Sequence, residues 1–161
     1  IERMEQVIDY AKKRGGIKPR PRILLTGCPS SSKKVLNAIE EFANVVAMET
    51  CGGLKGIVQM ADEDGDLMEA LARRSLSIAC PCMSPNKARY ELLAELIDSY
   101  NIDGVIDLTW QACHIYNVES YPLGRFIRNK IGIPYLQIET DYSESDVNWL
   151  KLRIEAFVEM F

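Results

Sequence analysis

Short apolar runs alternate along the chain with longer segments whose apolar residues recur at helical spacing. Such a run, bounded by polar residues or glycine, is typical of a buried strand in a parallel sheet. Strands that alternate with helices form a parallel sheet with right-handed crossovers and helices on both faces. The pattern therefore predicts an α/β, flavodoxin-like (Rossmann-like) three-layer domain of four or five strands. These are residues 22–26, 44–49, 104–109 and 134–138, with 75–79 as either a fifth strand or an irregular crossing segment.

Polar residues ahead of the helical segments predict where the first helices begin. Ser30 to Ser32 are candidate N-caps for the helix that follows the first strand. Ser84 and Pro85 predict the clearest helix of the chain, with serine as N-cap and proline at the first helical position. A further helix is expected over residues 66–74.

The later helices are predicted in the same way. A long loop over residues 113–119 is expected after the central strand, with Ser120 as the cap of the next helix and Pro122 in its first turn. The last helix is expected to begin near Ser143, whose spacing to Asp146 resembles a capping box.

The first 21 residues have a different pattern. They contain an apolar stripe at helical spacing, followed by glycines and by a Lys-Pro-Arg-Pro segment: Met4, Val7, Ile8 and Ala11, then residues 15–16 and 18–21. We expect residues 1–21 to be the end of a preceding helix plus a linker, and residues 22–161 to be one domain of a longer protein. The amino-terminal half of that protein would then be missing from this chain.

Composition and charge narrow the class of protein. The 161 residues suffice for one α/β domain, and 47% apolar with 26% charged residues is typical of a globular chain. A net charge of −4 without a basic stripe disfavours nucleic acid as a partner. No apolar run approaches the roughly 18 residues of a membrane span, and no signal peptide or lipidation motif is found. Five irregularly spaced cysteines favour a reducing compartment, the cytoplasm, over a disulfide framework.

The cysteines are the main candidates for chemistry, because each follows a strand-like run. Cys28 and Cys51 follow the first two predicted strands, the Cys80-Pro-Cys82 segment follows the weakest one, and Cys113 follows the central strand. The carboxyl ends of parallel strands meet at one edge of the sheet, where α/β proteins bind ligands. We therefore expect Cys51, Cys82 and Cys113 to converge at that edge. Glu139, at the end of the last predicted strand, is expected to reach the same crevice.

The residues alone leave several kinds of thiol chemistry open. In an extended segment, Cys80 and Cys82 would point the same way, so both sulfurs could face one site. Structural zinc usually requires paired knuckles or two histidines, which this chain lacks, whereas iron–sulfur clusters take thiolates from scattered loops. A redox pair or a nucleophilic Cys113 beside His114 is also possible. A phosphate loop at residues 27–34 is excluded, because its second glycine is absent.

Several segments, taken together and in order, resemble a known family. Residues 104–107, 111–120, 132–143 and 153–157 read GVID, QACHIYNVES, GIPYLQIETDYS and RIEAF. They resemble the carboxy-terminal domain of the 2-hydroxyacyl-CoA dehydratase family, which includes benzoyl-CoA reductase subunits. CPCMSPN at residues 80–86 and ETCGG at residues 49–53 are closer to the double-cubane cluster protein branch. At the last helix, Asn148-Trp149 and Leu152 depart from the family's usual Gly-Gln and Thr.

The resemblance implies an iron–sulfur enzyme that needs partners. Two flavodoxin-like domains would enclose a [4Fe–4S] or double-cubane cluster, here held by Cys51, Cys82 and Cys113, with Cys80 added by the double-cubane branch. Cys28 is not assigned to the cluster. A separate ATP-hydrolysing iron–sulfur activator would supply a low-potential electron, and the subunits would form homo- or heterodimers.

The same resemblance sets the expected reaction. In the dehydratases the electron reduces a CoA thioester to a ketyl radical, and this radical expels the 2-hydroxyl group. In the double-cubane branch, reduction of a small molecule is implied. The alternative from another class is a cluster-free α/β binding or assembly module. We expect residues 1–161 alone to be inactive and to lack an intact cluster, because the missing neighbour would close the crevice.

Overall fold

The computed structural model describes residues 1–16, 18–83 and 85–161, and within them the chain forms four strands and six α-helices. The strands are β1 (Arg22–Gly27), β2 (Asn44–Thr50), β3 (Gly104–Trp110) and β4 (Tyr135–Thr140). The helices are α1 (Glu2–Lys13), α2 (Lys33–Glu40), α3 (Leu67–Ser77), α4 (Lys87–Ser99), α5 (His114–Phe126) and α6 (Val147–Val158). A 3₁₀ turn covers Leu54–Gly56, and a π-helical turn, Ile127–Ile131, extends α5.

The four strands form one parallel sheet in the order β2-β1-β3-β4. β3 is buried along its whole length, as expected of a central strand covered on both faces. The predicted α/β flavodoxin-like fold is therefore confirmed, with four strands. The carboxyl ends of all four strands lie at the same edge of this sheet, because every pairing is parallel.

Helices cover the sheet on both faces and bury two apolar clusters. On one face, α2 and α6 pack against side chains of β1. The apolar cluster there includes Val35 and Ile39 of α2, Leu150 and Ile154 of α6, and Ile23 and Leu25 of β1. On the opposite face, Leu93 and Leu96 of α4 pack with Leu123 of α5. The three layers follow from the helical spacing of these residues in the sequence.

The predicted strand at residues 75–79 is wrong. Asp66 caps α3 by accepting hydrogen bonds from the N–H groups of Met68 and Glu69, and the helix then continues to Ser77. Leu76, which should be buried in a strand, is 73% exposed. The run was too short to distinguish a strand from the last turn of a helix.

Of the four predicted helix starts, that of α2 is confirmed, whereas those of α4, α6 and, as described below, α5 are wrong. Ser32 caps α2, with its side chain accepting from the N–H of Lys34 at 3.2 Å. α4 begins two residues later than predicted, after Asn86, and the proposed cap Ser84 lies outside the described residues. α6 begins after Asp146, because the Ser143 hydroxyl hydrogen-bonds to Asp141 instead of capping the helix.

The expected loop over residues 113–119 is instead the first half of α5. Cys113 is the N-cap residue, so the helix starts directly after it, and Pro122 lies inside the helix. Ser120 does not cap anything, since its hydroxyl donates to Asp107 at 2.7 Å. The serine and proline looked like a helix start, but the serine makes a tertiary contact and the proline removes only one helical N–H.

A buried lysine of α2, Lys34, links the end of β4 to the loop that leads into α6. The Lys34 ammonium, whose side chain is fully buried, donates to Thr140 Oγ1 and to the carbonyls of Asp141 and Ser143, each at 2.7 Å. It also lies 2.8 Å from Asp146 Oδ1. Despite partial desolvation, the hydrogen bonds from Lys34 and Thr140 hold the pKa of Asp146 below its usual range.

We predict that Lys34→Met reduces both stability and its dependence on acid. The pKa of Asp146 is lower in the folded chain than in the unfolded chain, so its contribution is present above the unfolded pKa and is lost as pH falls. The variant should lose roughly 2–4 kcal/mol of unfolding free energy at pH 7 and show a smaller further loss between pH 7 and pH 3. Urea unfolding across this pH range measures both.

Lys33→Met is the matched control, because Lys33 is exposed. It should leave the unfolding free energy within about 0.5 kcal/mol of the unmodified chain. An unchanged acid dependence in Lys34→Met would contradict the role given to the Lys34–Asp146 pair.

Candidate functional site

Three cysteines lie just beyond the carboxyl ends of strands β1, β2 and β3. Cys28 follows β1 and its N–H donates to the carbonyl of Leu108 at 2.7 Å, which extends the β1–β3 pairing. Cys51 follows β2 and donates to the carbonyl of Gly27 at 3.0 Å. Cys113 follows β3 by three residues and begins α5. The sheet thus carries Cys51 and Cys113 at one edge, on strands separated by β1.

Tight backbone packing sets the positions of these cysteines. Gly27 has φ +104°, and a Cβ there would lie 2.2 Å from the carbonyl oxygen of Leu108. A Cβ on Gly53 would lie 2.5 Å from the carbonyl oxygen of Met48, so this glycine lets the chain fold back on β2 directly after Cys51. Ala112, next to Cys113, has φ +69°, which is a strained conformation for a residue with a side chain.

Cys80 and Cys82 are brought together by a turn. The N–H of Met83 donates to the carbonyl of Cys80 at 3.0 Å, which closes a tight turn over Cys80-Pro-Cys82. The neighbouring Cys80 thiol raises the pKa of Cys82. The expected extended segment after a strand is therefore wrong, and that both sulfurs face one site stays a prediction.

Cys28 is a packing residue. It is 1% exposed and belongs to the apolar cluster beneath α2 and α6. Burial raises the pKa of its thiol to about 12, and the N–H of Trp110 contacts its sulfur at 3.4 Å. A thiol of this kind is a small hydrophobic group with little reactivity, which agrees with leaving it outside the cluster set.

The other four thiols are accessible to different degrees. Cys51 and Cys82 are exposed, Cys80 and Cys113 are half-buried, and all five cysteines are free. Free, accessible thiols at the carboxyl edge are the donor type that iron–sulfur clusters use. Among the described residues, however, no three His, Cys, Asp or Glu side chains are grouped closely enough to hold a metal ion. The convergence of Cys51, Cys82 and Cys113 at one cluster thus stays a prediction.

A buried set of charged and polar side chains lies between the sheet, α4 and α5. We refer to it as the Arg89 network; its members are Thr26, Glu49, Lys55, Asn86, Arg89, Tyr116 and Glu119. Arg89 is fully buried and lies between two carboxylates, with its Nε 3.2 Å from Glu49 Oε2 and one terminal nitrogen paired with Glu119. Its other terminal nitrogen donates to Thr26 Oγ1 at 2.8 Å.

The network extends from Arg89 toward the loop that follows β2. Glu49 is fully buried, and its second carboxylate oxygen lies 2.8 Å from the Lys55 ammonium. Lys55 also donates to the hydroxyl of Tyr116 at 2.8 Å, and both cations lie about 5 Å from the Tyr116 ring centre, Lys55 at 5.1 Å and Arg89 at 5.0 Å. Although burial acts in the other direction, the carboxylates, Glu49 foremost, raise the pKa of Arg89.

The network also reaches the turn that contains two of the cysteines. The side-chain amide of Asn86 donates to Glu119 Oε1 and to the carbonyl oxygen of Cys80, each at 2.8 Å. Every cysteine-bearing segment thereby contributes a member: Thr26 two residues before Cys28, Glu49 two before Cys51, Asn86 four after Cys82, and Tyr116 three after Cys113.

A second buried carboxyl lies beside the network on β3. Asp107 is fully buried and accepts from the hydroxyls of Ser120 at 2.7 Å and Tyr135 at 2.5 Å, both through Oδ2. Its Oδ1 has no hydrogen-bond partner among the described residues. Burial raises the pKa of this carboxyl, with Arg89 opposing the effect.

Sequence reasoning missed the Arg89 network, although its signal was present. Arg89 precedes Leu93 by four residues and Leu96 by seven, so it lies on the buried stripe of α4. Glu49 is the next-to-last residue of the largely apolar strand β2, and it is buried. A charged residue at a position that periodicity assigns to the core is a sign of a buried ion pair.

Glu139 does not lie at the end of its strand. It is the exposed next-to-last residue of β4, one of the two outer strands, and its carboxylate accepts from the side-chain amide of Asn117 at 3.4 Å. Asn117 lies one turn beyond Cys113 on α5. Glu139 therefore contacts the helix that Cys113 begins, and its access to the same crevice as Cys113 stays a prediction.

Similarity to known protein families identifies the family of this chain. A family model described as 2-hydroxyglutaryl-CoA dehydratase, D-component, matches residues 1–161. The chain belongs to this dehydratase family. The resemblance to the 2-hydroxyacyl-CoA dehydratases that the motifs indicated is confirmed.

Two curated relatives of the dehydratase family show how much of a longer protein this chain matches. It is 49% identical over 145 residues, 88% of its length, to the Escherichia coli (strain K12) protein named "Putative dehydratase subunit YjiM". It is 25% identical over 164 residues, 98% of its length, to the (R)-phenyllactyl-CoA dehydratase beta subunit of Clostridium sporogenes. These matches cover 38% and 43% of the relatives, so the chain spans about two fifths of their length.

In the described part of this dehydratase-family chain, no helix is both long enough and apolar enough to cross a bilayer.

We predict that Arg89→Met destabilises the fold far more than loss of a surface arginine. Removing Arg89 leaves Glu49 and Glu119 buried with one cation fewer, and breaking a buried pair in this way costs about 3–5 kcal/mol. Arg73→Met is the control, because Arg73 pairs with Glu69 at an exposed i,i+4 position and should cost less than about 1 kcal/mol. Chemical unfolding of both variants gives the comparison, and equal costs would contradict the account of the network.

Proposed function

We propose that this chain is the carboxy-terminal domain of an iron–sulfur enzyme of the dehydratase family. The observation that carries the proposal is the placement of accessible cysteines at the carboxyl edge of the sheet, above the Arg89 network. Cys51, Cys82 and Cys113 are the proposed cluster ligands, with Cys80 as a fourth thiol from the same turn as Cys82. Two relatives of this chain have names that refer to dehydratases, which supports the reaction class.

The cluster, when bound, would supply a single low-potential electron to a substrate in the crevice. This chain's residues would hold and orient it. The backbone pairing that fixes Cys51 to β1 keeps that thiol at the edge, and the N-cap position of Cys113 places its thiol at the positive end of a helix. Hydrogen bonds and charge near cluster sulfurs set reduction potential, so Tyr116 and Lys55, behind Cys51, are proposed to tune it.

The proposed substrate is a 2-hydroxyacyl-CoA, which loses its hydroxyl group as water. The adjacent Cys80-Pro-Cys82 pair favours the double-cubane branch, for which reduction of a small molecule is the proposed reaction. In either case the electron would come from an ATP-dependent iron–sulfur activator, and the enzyme would act as a homo- or heterodimer in the cytoplasm. The departures at Asn148, Trp149 and Leu152 leave the substrate contacts of α6 outside this proposal.

A further domain of the same polypeptide is proposed to cover the cysteines. Cys51 and Cys82 are exposed here, whereas low-potential clusters require shielding from solvent. α1 has no buried residue and presents Met4 and Val7 to solvent, 70% and 66% exposed. We propose that residues 1–21 connect the domain at residues 22–161 to that covering domain, and that α1 packs there.

We predict that the cluster depends on Cys51, Cys82 and Cys113 and not on Cys28. In protein produced anaerobically from its complete gene, Cys51→Ser, Cys82→Ser and Cys113→Ser should each lower bound iron and sulfide at least about two-fold, because a cluster wants about four ligands. Cys28→Ser is the matched control and should retain them. Iron and sulfide analysis with visible spectra measures this.

The outcome also separates the two functional classes. A cluster-free binding or assembly module would bind no stoichiometric iron in the unmodified protein, and this result would contradict the proposal. Residues 1–161 produced alone are expected to fold but not to retain a stoichiometric cluster after anaerobic reconstitution. Stable, redox-active loading of that segment would show that it needs no covering domain.

A further inference from the structure

We propose that Asn86 is a positioning residue that ties the Cys80-Pro-Cys82 turn to the helix that Cys113 begins. The inference rests on the proposed function for its use in cluster binding, but its geometry stands on hydrogen bonds within this chain. Asn86 is 5% exposed, and its amide nitrogen donates to the carbonyl oxygen of Cys80 and to Glu119 Oε1, both at 2.8 Å. Both hydrogens of one NH₂ group are thus used to join two segments.

The chemistry of the partners fixes the orientation of the Asn86 amide. A backbone carbonyl and a carboxylate can only accept hydrogen bonds, so the NH₂ group and not the carbonyl oxygen must face them. Aspartate at this position would place a second carboxylate against both acceptors. An apolar residue would leave the Cys80 carbonyl and one oxygen of Glu119 without this donor. The site therefore requires an amide.

Asn86 makes these contacts instead of capping the helix that it begins. It is the N-cap residue of α4, where asparagine commonly accepts a hydrogen bond from the helix N–H groups. Here its side chain makes no capping hydrogen bond. The side chain is directed away from the helix it begins and toward the cysteine turn, so its contribution is tertiary.

The far end of the tether is rigid. Glu119 lies six residues beyond Cys113 on α5, about 9 Å along the helix axis, and its other oxygen pairs with Arg89. The Arg89 network holds Glu119 between α4 and the sheet, and α5 carries Cys113 at its first turn. By fixing Cys80 to Glu119, Asn86 sets the position of the Cys80 and Cys82 thiols relative to Cys113.

The tether is tested by the reactivity of individual cysteines in the absence of iron. The protein is produced from its complete gene, freed of iron by chelation, and treated with iodoacetamide at one fixed pH; each cysteine is then followed by peptide mass spectrometry. Asn86→Ala and Asn86→Asp should raise the alkylation rate of Cys80 about three- to ten-fold, as expected for loss of one or two hydrogen bonds. The rates of Cys51 and Cys28 should not change.

Two further variants complete the comparison. Asn129→Ala is the matched control, because Asn129 is exposed on the turn that extends α5; it should leave all rates unchanged. If Asn86→Ala does not fold, Asn86→Ser supplies a hydroxyl that can cap α4 but is too short to reach both acceptors, and it should show the same increase at Cys80. A Cys80 rate equal to that of the unmodified protein would overturn the proposal, as would an equal increase at every cysteine.

A second readout links the tether to the cluster. In iron-loaded protein, the Asn86 variants should lose iron to a chelator faster than the unmodified protein and the Asn129 control. Equal rates of loss in all of them would overturn the positioning role in cluster binding. If none of the proteins bind iron while the Cys80 rate still rises, the proposed function fails and the tether within the chain stands.

Discussion

The site depends on a buried cation that is paired from several directions at once. Arg89 is fully buried, and moving a charge from water into a protein interior is costly unless partners compensate for it. Glu49, Glu119 and Thr26 provide that compensation, and they come from three different elements of the fold. Each partner has to be in place for the arrangement to be favourable, so the ionic pairing fixes the relative positions of β1, β2, α4 and α5 near the carboxyl edge of the sheet.

The two sides of the sheet therefore differ in what their interior residues do. One side is stabilised by apolar packing, and the other also holds the segments that carry the cysteines in position. Beneath α2 and α6 the interior is an apolar cluster that includes Cys28, and the Lys34–Asp146 pair lies at its rim. Beneath α4 and α5 the apolar cluster gives way near the edge to charged groups, with Lys55 and Asn86 reaching toward the loops. Replacing buried ion pairs by apolar residues of similar size is often neutral or stabilising in proteins, so we interpret the ionic half as fixing geometry around the thiols.

Much of the fold could be predicted because apolar runs and helical periods are local signals. The strands at residues 22–27 and 104–110 and the helix at residues 33–40 follow from such patterns. Two helix starts were predicted wrongly because the expected capping serine makes another hydrogen bond: Ser120 bonds to Asp107 instead of capping α5, and Ser143 bonds to Asp141 instead of capping α6. Arg89 was missed because its partners are 40 and 30 residues away.

The cysteines that follow the strands could be located from the sequence. Their grouping around one cluster could not, because it depends on tertiary contacts that local sequence patterns do not determine. Alkylation of each cysteine, measured in the anaerobic protein before and after iron removal, tests that grouping most directly. The account predicts that Cys51, Cys80, Cys82 and Cys113 are protected together and become reactive together when iron is removed, while Cys28 stays unreactive throughout. Reactivity of the four that is independent of iron would contradict it.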